Sequence, residues 1–486
     1  MTNVRELLLP ALRWDPKAGY DKERALIEQS LEMGVGGFAL FGGEVEQVAK
    51  LTSELRERSK IPLLIGSDLE RGAGQQFQGA TGLPPLAAIG YLDDVDAATR
   101  AARISAREAR AVGVNWIYAP VADIDVEPEN PIIGTRAFGG DVTRVARDVA
   151  AWIEGCQAEG VLACAKHFPG HGRTTADSHA TLPTVELDAG QLRATDMEPF
   201  RSAIKARVAS VMSAHISFPA LDPSGAPATL SPAILRDILR DELGFDGLVV
   251  TDAMIMEGVL GEGEARAAVR ALGAGCDLLL YPTNLAAVGD AVQAALDSGA
   301  LDAKRIDASL QRRAAHARDA WQRKPDLSAL GEDRAWAEEL AQRVIHEVRG
   351  KAPAALTCVE LTVVDDDVGG PYPPPSRAPF ADELKGWGAA VCEEGNERAA
   401  QATAVIALFG DIRSWKGRPG YSAASLQAVR DAVARTRERK QEAVIVQFSH
   451  PRLAASIEAD VPIVCAWGGE AAMQQAAARW LTRGSK

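Results

Sequence analysis

The segment 166–183 carries a dense set of ionisable side chains. They are, in order, Lys166, His167, His171, Arg173, Asp177 and His179. Three of the chain's 7 histidines are therefore in one short stretch. The apolar residues 161–165 precede it directly, so the set begins where a buried strand is expected to end. Titratable groups and glycines at the end of a strand are typical of an active site on a parallel barrel.

Asp177 and His179 are the candidate acid–base pair. In extended backbone, side chains two residues apart point the same way, so the carboxylate can hold the imidazole. An aspartate that fixes the ring tautomer and raises its basicity makes a general acid and base. The alternative is a histidine that only stabilises the loop through backbone hydrogen bonds.

Asp252 is the candidate nucleophile. It follows the apolar and β-branched residues 248–251 directly, which puts its carboxylate at a strand tip. A carboxylate in that position can attack a carbon, as in glycosyl transfer. The alternative is an aspartate that caps the helix expected after it.

Lys166, His167 and Arg136 supply cations and donors that suit a ligand rich in hydroxyl groups. They could instead form ion pairs that only brace the loops. Lys166 could also form a Schiff base, since a desolvated lysine at a strand end is a nucleophile. His167, His171 and His179 could also bind a metal, but their spacing matches no standard zinc pattern, so we predict no metal. No cofactor is expected.

Asp68 and His215 complete the predicted substrate-binding set. Asp68 begins a polar, glycine-containing stretch that suits a binding loop, and His215 ends an apolar run. Either could also be a polar group that is satisfied at a strand end.

Eight apolar runs alternate with stretches of helical spacing, which predicts a parallel sheet with crossover helices. The runs are 7–12, 35–41, 62–67, 114–120, 161–167, 209–215, 247–252 and 276–281. Eight strands in this order favour an α/β fold of the (β/α)8 barrel type, with a doubly wound sheet as the alternative. On a barrel, the candidate residues would meet at the C-terminal ends of the strands.

The chain of 486 residues is long enough for more than one domain. We predict a catalytic barrel over 1–325, a helical linker over 326–352 and a smaller α/β domain over 353–486. Helical sequence is expected throughout 303–349. The second domain has strand candidates at 356–364, 402–409, 442–448 and 461–467.

The composition limits the function. The net charge of −13 argues against nucleic acid as a partner. No apolar stretch is long enough to cross a membrane, and the N-terminus does not resemble a signal peptide. The 6 scattered cysteines form no CxxC pair, which is typical of free thiols in a reducing cytosol, so a cytoplasmic protein is expected.

Several motifs resemble glycoside hydrolase family 3, specifically its β-N-acetylglucosaminidase branch. They are KHFPGHG at 166–172, DSH at 177–179, LP at 182–183, DLERG at 68–72, IGTRAFG at 133–139 and DGLVVTDAM at 246–254. The resemblance covers about the first two thirds of the chain. It implies a (β/α)8 barrel that acts on terminal β-linked sugars with retention of configuration.

The resemblance also implies roles for single residues. Asp252 would be the nucleophile that forms a glycosyl-enzyme intermediate, and His179, held by Asp177, would be the acid and base on a mobile loop. The residues that match sugar-gripping positions are Asp68, Arg136, Lys166 and His167.

The resulting expectation is an exo-acting β-N-acetylglucosaminidase with a small carbohydrate substrate from cell-wall or chitin fragments. Replacing a carboxylic acid by histidine lowers the negative charge near the sugar, so phosphate could replace water as the acceptor. The family pattern that starts at Asp68 ends in an arginine that helps to bind the sugar. That arginine is aligned with Gln76 here, which leaves a β-glucosidase as an alternative. A Schiff-base aldolase and a non-catalytic sugar-binding protein are the alternatives from other classes.

Overall fold

In the computed structural model, each of the eight apolar runs contains a short parallel strand. The structure describes residues 3–178, 180–261, 263–320, 329–353, 355–367, 374–392, 402–412 and 416–483. The strands are β1 (Leu8–Leu9), β2 (Ala11–Arg13), β3 (Gly37–Phe41), β4 (Leu64–Ser67), β5 (Trp116–Ile117), β6 (Leu162–Phe168), β7 (Ser210–Ser213), β8 (Leu248–Thr251) and β9 (Leu279–Leu280).

These strands close into a ring. Strands β2 to β8 form one sheet in chain order, and β1 pairs in parallel with β9. A parallel bridge between Val250 and Leu278 joins β8 to the segment that enters β9. Strands β1 and β2 are one extended segment interrupted at Pro10, which has no N–H to donate. Eight parallel strands in a closed order confirm the (β/α)8 barrel and exclude the doubly wound sheet.

Helices follow the strands, as the spacing predicted. They are α1 (Arg24–Met33), α2 (Val45–Arg58), α3 (Leu86–Tyr91), α4 (Val95–Ala111), α5 (Val142–Ala158), α6 (Ala189–Ala194), α7 (Glu198–Lys205), a π-type helix (Ala233–Glu242), α8 (Glu257–Leu260), α9 (Glu264–Ala274), α10 (Leu285–Asp297) and α11 (Ala303–Ala320). The side chains of Asp94, Asp141 and Asn284 accept a backbone N–H at the start of α4, α5 and α10. Such caps satisfy N–H groups that the helix itself leaves without partners.

A tryptophan anchors the interior of the barrel. Trp116 on β5 is fully buried, and its indole N–H donates to Ser210 Oγ on β7 at 2.8 Å. Its ring meets that of Tyr118 edge-on at 4.9 Å. The hydrogen bond of the Trp116 indole therefore ties β5 to β7 inside the barrel.

The chain divides into two compact units. The first comprises 1–81, 94–127 and 137–330, and the second comprises 82–93, 128–136 and 331–486. The second unit therefore includes α3 and the segment that carries Arg136. Within the predicted linker, the structure describes the helix α12 (Leu330–Arg343) and a strand, and the boundaries at 325/326 and 352/353 stay predictions.

The second unit contains a six-stranded sheet in the order β10-β15-β14-β13-β11-β12. Its strands are β10 (His346–Arg349), β11 (Cys358–Asp365), β12 (Ala390–Cys392), β13 (Thr403–Phe409), β14 (Ala443–Phe448) and β15 (Ile463–Cys465). Its remaining helices are α13 (Ala378–Gly386), α14 (Ala423–Glu438) and α15 (Ala471–Arg483). The prediction of helix up to residue 349 is wrong at β10, which pairs antiparallel with β15.

No helix in the described part of the chain is both long and apolar enough to cross a membrane. All six cysteines are free thiols.

Candidate active site

The predicted site residues of the first unit follow the C-terminal ends of the barrel strands. Asp68 follows β4, His215 follows β7 and Asp252 follows β8, while Lys166 and His167 are in the last part of β6. Because the strands are parallel and adjacent in the ring, these residues share one rim of the barrel. His179 lies outside the described residues.

Lys166 lies between two carboxylates. Its Nζ is 2.7 Å from Asp68 Oδ1 and 2.6 Å from Glu70 Oε1, and its side chain is almost fully buried. Two carboxylates at hydrogen-bond distance favour the charged ammonium, whereas a Schiff-base nucleophile must be a neutral amine. The contacts therefore favour an ion-paired Lys166 over a Schiff-base nucleophile. Sequence analysis places Glu70 beside Asp68 at the end of one strand but assigns it no role, because residue types alone do not show which of two nearby acids contacts the lysine.

His167 is displaced from the regular register of its strand. Lys166 pairs with Met212 and Phe168 with Ser213, so β6 has one extra residue against β7. Bulges of this kind redirect a side chain near active sites. The His167 Nδ1–H donates to Asp123 Oδ2 at 2.8 Å, which fixes the ring and its tautomer.

Asp123 is a fully buried carboxylate that holds this edge of the site together. Besides the imidazole of His167, it accepts the backbone N–H of His167 at 3.2 Å and that of His171 at 2.6 Å. A buried carboxylate needs such donors. Sequence analysis assigns no role to Asp123, because its partners come from a different strand.

His171 is buried and hydrogen-bonded at both ring nitrogens. Nδ1 is 2.8 Å from Thr174 Oγ1, and Nε2 is 2.9 Å from Ser178 Oγ. Burial, with a smaller effect of His167, lowers the pKa of His171 to about 4, against opposing effects of nearby carboxylates. His171 is therefore neutral at neutral pH.

Asp252 is partly exposed at the tip of β8. Its backbone N–H donates to Ser213 O at 3.2 Å, and its Oδ1 accepts the N–H of Ala253 at 2.8 Å. Helix α8 begins only at Glu257, and its first cap position is Met256, not Asp252. The alternative interpretation as a helix cap is therefore wrong. The position of the Asp252 carboxylate on the rim is therefore not explained by helix capping.

His215 is fully buried beside the segment that follows Asp252. Its Nε2–H donates to Ala253 O at 3.2 Å, and its Nδ1 is 2.8 Å from Thr229 Oγ1. These contacts fix the chain next to the candidate nucleophile. A direct contact of His215 with substrate stays a prediction.

The remaining predicted residues have distinct surroundings. Asp177 is buried, and its carbonyl accepts the N–H groups of Ala180 and Thr181 at 3.0 and 3.2 Å. The expected alignment of the Asp177 and His179 side chains stays a prediction, because His179 lies outside the described residues. Arg136 ends a short 3-10 turn in the second unit and donates to Ile132 O at 3.1 Å. Gln76 Oε1 accepts the N–H of Gly42 at 3.0 Å.

Among the residues that the structure describes, no three His, Cys, Asp or Glu side chains are arranged so that they could hold a metal ion.

Comparison with known proteins supports the resemblance found in the motifs. The family model described as the glycosyl hydrolase family 3 N-terminal domain matches residues 4–315 of the sequence. The chain belongs to glycosyl hydrolase family 3. The matched residues span the whole barrel, including every strand tip described above.

Relatives with assigned names share part of the chain. A β-hexosaminidase of Thiobacillus denitrificans is 38% identical over 328 residues, which are 65% of this chain and 87% of that protein. A β-N-acetylglucosaminidase/β-glucosidase of Cellulomonas fimi is 36% identical over 288 residues, or 57% of this chain. The match covers only 51% of the Cellulomonas protein.

Solved structures resemble the chain over nearly its full length. A family 3 β-N-acetylglucosaminidase of Paenibacillus sp. str. FPU-7 has 29% identity and a TM-score of 0.83, and the match covers 99% of this chain and 96% of that one. A β-glucoside phosphorylase has 24% identity and a TM-score of 0.85, with 99% and 91% coverage. At that identity the second likeness concerns the fold alone.

Proposed function

We propose that this chain is a retaining exo-β-N-acetylglucosaminidase that releases terminal β-linked N-acetylglucosamine. The observation that carries the proposal is Asp252, a partly exposed carboxylate at a strand tip that caps no helix. It shares its rim with the Lys166–Asp68 pair, which offers charged and polar groups to sugar hydroxyls.

The proposed reaction has two steps. Asp252 attacks the anomeric carbon and forms a glycosyl ester, while His179 gives a proton to the departing oxygen. In the second step His179 removes a proton from the acceptor, which attacks the same carbon and releases Asp252. Two displacements at one carbon retain its configuration.

The immediate surroundings of Asp252 suit a nucleophile. The N–H of Ala253 stabilises the carboxylate through Oδ1 and restricts its rotation. His215 holds the Ala253 carbonyl from the other side, so the segment keeps its position when the ester forms. Positioning of this kind lowers the entropic cost of the attack.

Phosphate is the proposed alternative acceptor. An acid–base group that is an imidazole repels an anion less than a carboxylate would. Phosphorolysis would give a sugar 1-phosphate, and hydrolysis would give the free sugar.

Aryl glycosides test the proposal. We expect release of the phenol from the β-N-acetylglucosaminide, with and without phosphate, and a loss of about 10⁴-fold or more in Asp252→Ala. Ser105→Ala is the control for handling and folding, since Ser105 is buried and its hydroxyl donates to Ala101 O within α4. The proposal fails if the wild type turns over neither the N-acetylglucosaminide nor the glucoside. A reaction with phosphate that yields no sugar 1-phosphate removes the phosphorylase part.

A β-glucosidase is the second candidate. Gln76 stands where the family pattern has an arginine, and its side-chain oxygen is bound to Gly42. The Cellulomonas relative carries both activities in its name. A higher kcat/KM on the β-glucoside than on the N-acetylglucosaminide would favour this candidate.

A further inference from the structure

A continuous set of hydrogen bonds runs from the end of β6 into the loop that follows it. The buried carboxylate of Asp123 accepts the imidazole N–H of His167 and the backbone N–H of His171. It therefore fixes both the strand tip and the first part of the loop. His171, whose backbone is held in this way, turns its ring toward the second part of the loop.

The ring of His171 closes the loop on itself. Its Nε2 is 2.9 Å from Ser178 Oγ, and both side chains are almost fully buried. Thr174 Oγ1 lies 2.8 Å from Nδ1 and keeps the ring from rotating. Since a neutral imidazole has one donor and one acceptor nitrogen, two hydroxyl partners satisfy it completely.

Ser178 is also confined from the side of the candidate nucleophile. A Cβ added to Gly258 in α8 would lie 3.2 Å from the Ser178 carbonyl oxygen and 3.1 Å from that of His215. Both distances are tight, so a residue larger than glycine at position 258 would require its neighbours to shift. The segment that begins at Asp252 and the loop that carries Asp177 thus meet at Ser178.

We propose that His171 and Ser178 form a latch that positions the acid–base pair Asp177 and His179 against the substrate. The latch rests on the proposed function and names two positioning residues for it. Ser178 lies between the two members of the pair in the sequence, and its side chain is held by His171. His171 connects Ser178 to the end of β6, because Asp123 binds both His167 and the backbone of His171.

The physical reason is the accuracy that proton transfer needs. A general acid must approach the departing oxygen to hydrogen-bond distance, and a shift of about 1 Å can cost about 100-fold in rate. Loss of the latch should therefore slow only reactions in which the leaving group needs a proton. Attack by Asp252 on a substrate with a good leaving group should continue.

A series of aryl β-glycosides, from strongly to weakly acidic phenols, measures this selectivity. For Ser178→Ala we expect kcat/KM to fall about 10-fold to 100-fold on the poorest leaving groups and less than about 3-fold on the best. His179→Ala is the reference, with a larger loss of the same selectivity. Ser105→Ala should give the wild-type profile.

Two substitutions of His171 test the geometry of the latch. A glutamine places a polar atom near the position of Nε2, so His171→Gln should keep most of the activity on poor leaving groups. An asparagine reaches only the position of Nδ1, so His171→Asn should behave like Ser178→Ala. Melting temperatures, measured for all variants, separate this pattern from a general loss of structure.

The outcomes are distinct. The latch is overturned if Ser178→Ala lowers kcat/KM equally on all leaving groups. It is also overturned if Ser178→Ala has no effect while His179→Ala slows only the poor leaving groups. Either result leaves the proposed function intact. A His179→Ala variant without leaving-group selectivity overturns the acid role in the proposed function, and the latch with it.

Discussion

Burial divides the histidines of the 166–183 segment into different roles. His171 is enclosed and neutral at neutral pH, so it is a poor proton donor for catalysis. His167 is tied to Asp123 by its Nδ1–H and can offer a ligand only its other nitrogen. Sequence analysis assigned separate roles to His167 and His179, but residue types alone contain no information on burial or on partners from other strands.

The pKa of His171 predicts how stability depends on pH. It is about 4 in the folded chain, against 6.5 for an exposed histidine, so the unfolded chain takes up this proton first as the pH falls. The contribution of His171 to the free energy of unfolding is fully present above pH 6.5. It decreases by about 3 kcal/mol as the pH falls toward 4. The charges that act on it are His167, which lowers its pKa, and Asp123 and Asp252, which raise it.

Urea unfolding of the wild type and of His171→Gln between pH 4 and 6.5 isolates this contribution. The glutamine does not titrate, so the difference in unfolding free energy between the two proteins should shrink or reverse as the pH falls. A constant difference over that range would contradict the assignment.

Lys166 predicts a second effect on stability. Lys166→Met removes a buried cation between Asp68 and Glu70, and loss of one partner from a buried ion pair costs about 3 kcal/mol. Lys22→Met is the matched control, because Lys22 pairs with Asp15 at the exposed surface, where the loss of an ion pair has little effect on stability. Similar unfolding free energies for both variants would count against a buried, charged Lys166.

At the scale of elements, the sequence predicted all eight barrel strands and four strands of the second unit, β11, β13, β14 and β15. Runs of buried apolar residues bounded by polar ones mark such strands clearly. It missed β10, whose residues are largely half-exposed, and β12, which has only three residues. It also could not show the bulge at His167, since register depends on the neighbouring strand.

A glycine in the loop after β6 shows how closely the elements approach. A Cβ on Gly172 would collide with the backbone carbonyl of Ile124, which follows β5. Gly172→Ala should therefore displace the loop, lower the unfolding free energy by about 2 kcal/mol and reduce activity on poor leaving groups. Gly273→Ala in α9 is the control, because the added methyl would be 3.6 Å from Leu301. Equal stability of the two variants, measured in urea, would show that the loop has more room than the contact indicates.

At the scale of the whole molecule, the second unit is assembled from three separate parts of the chain. Ala87 and Ala88 of α3 belong to the same buried cluster as Phe380 and Val464. Tyr91 stacks on His346 with ring centroids 4.3 Å apart. The sequence did not predict this assembly, because hydrophobic periodicity describes each element separately. A single sequence does not show which distant segments are in contact.

This assembly predicts what happens when the chain is cut. A protein that ends at residue 330 keeps the segments 82–93 and 128–136 but loses their partners, including Asp411, whose Oδ1 lies 3.2 Å from Thr135 Oγ1. Exposure of α3 and of the segment with Arg136 should lower the melting temperature by about 5 °C or more and raise dye binding to apolar surface. The matched control is the full chain cleaved at a protease site inserted within 321–328, which retains both parts and should melt close to the intact protein. If the shortened chain melts like the intact one, the first unit is stable by itself and the three-part assembly has no role in its folding.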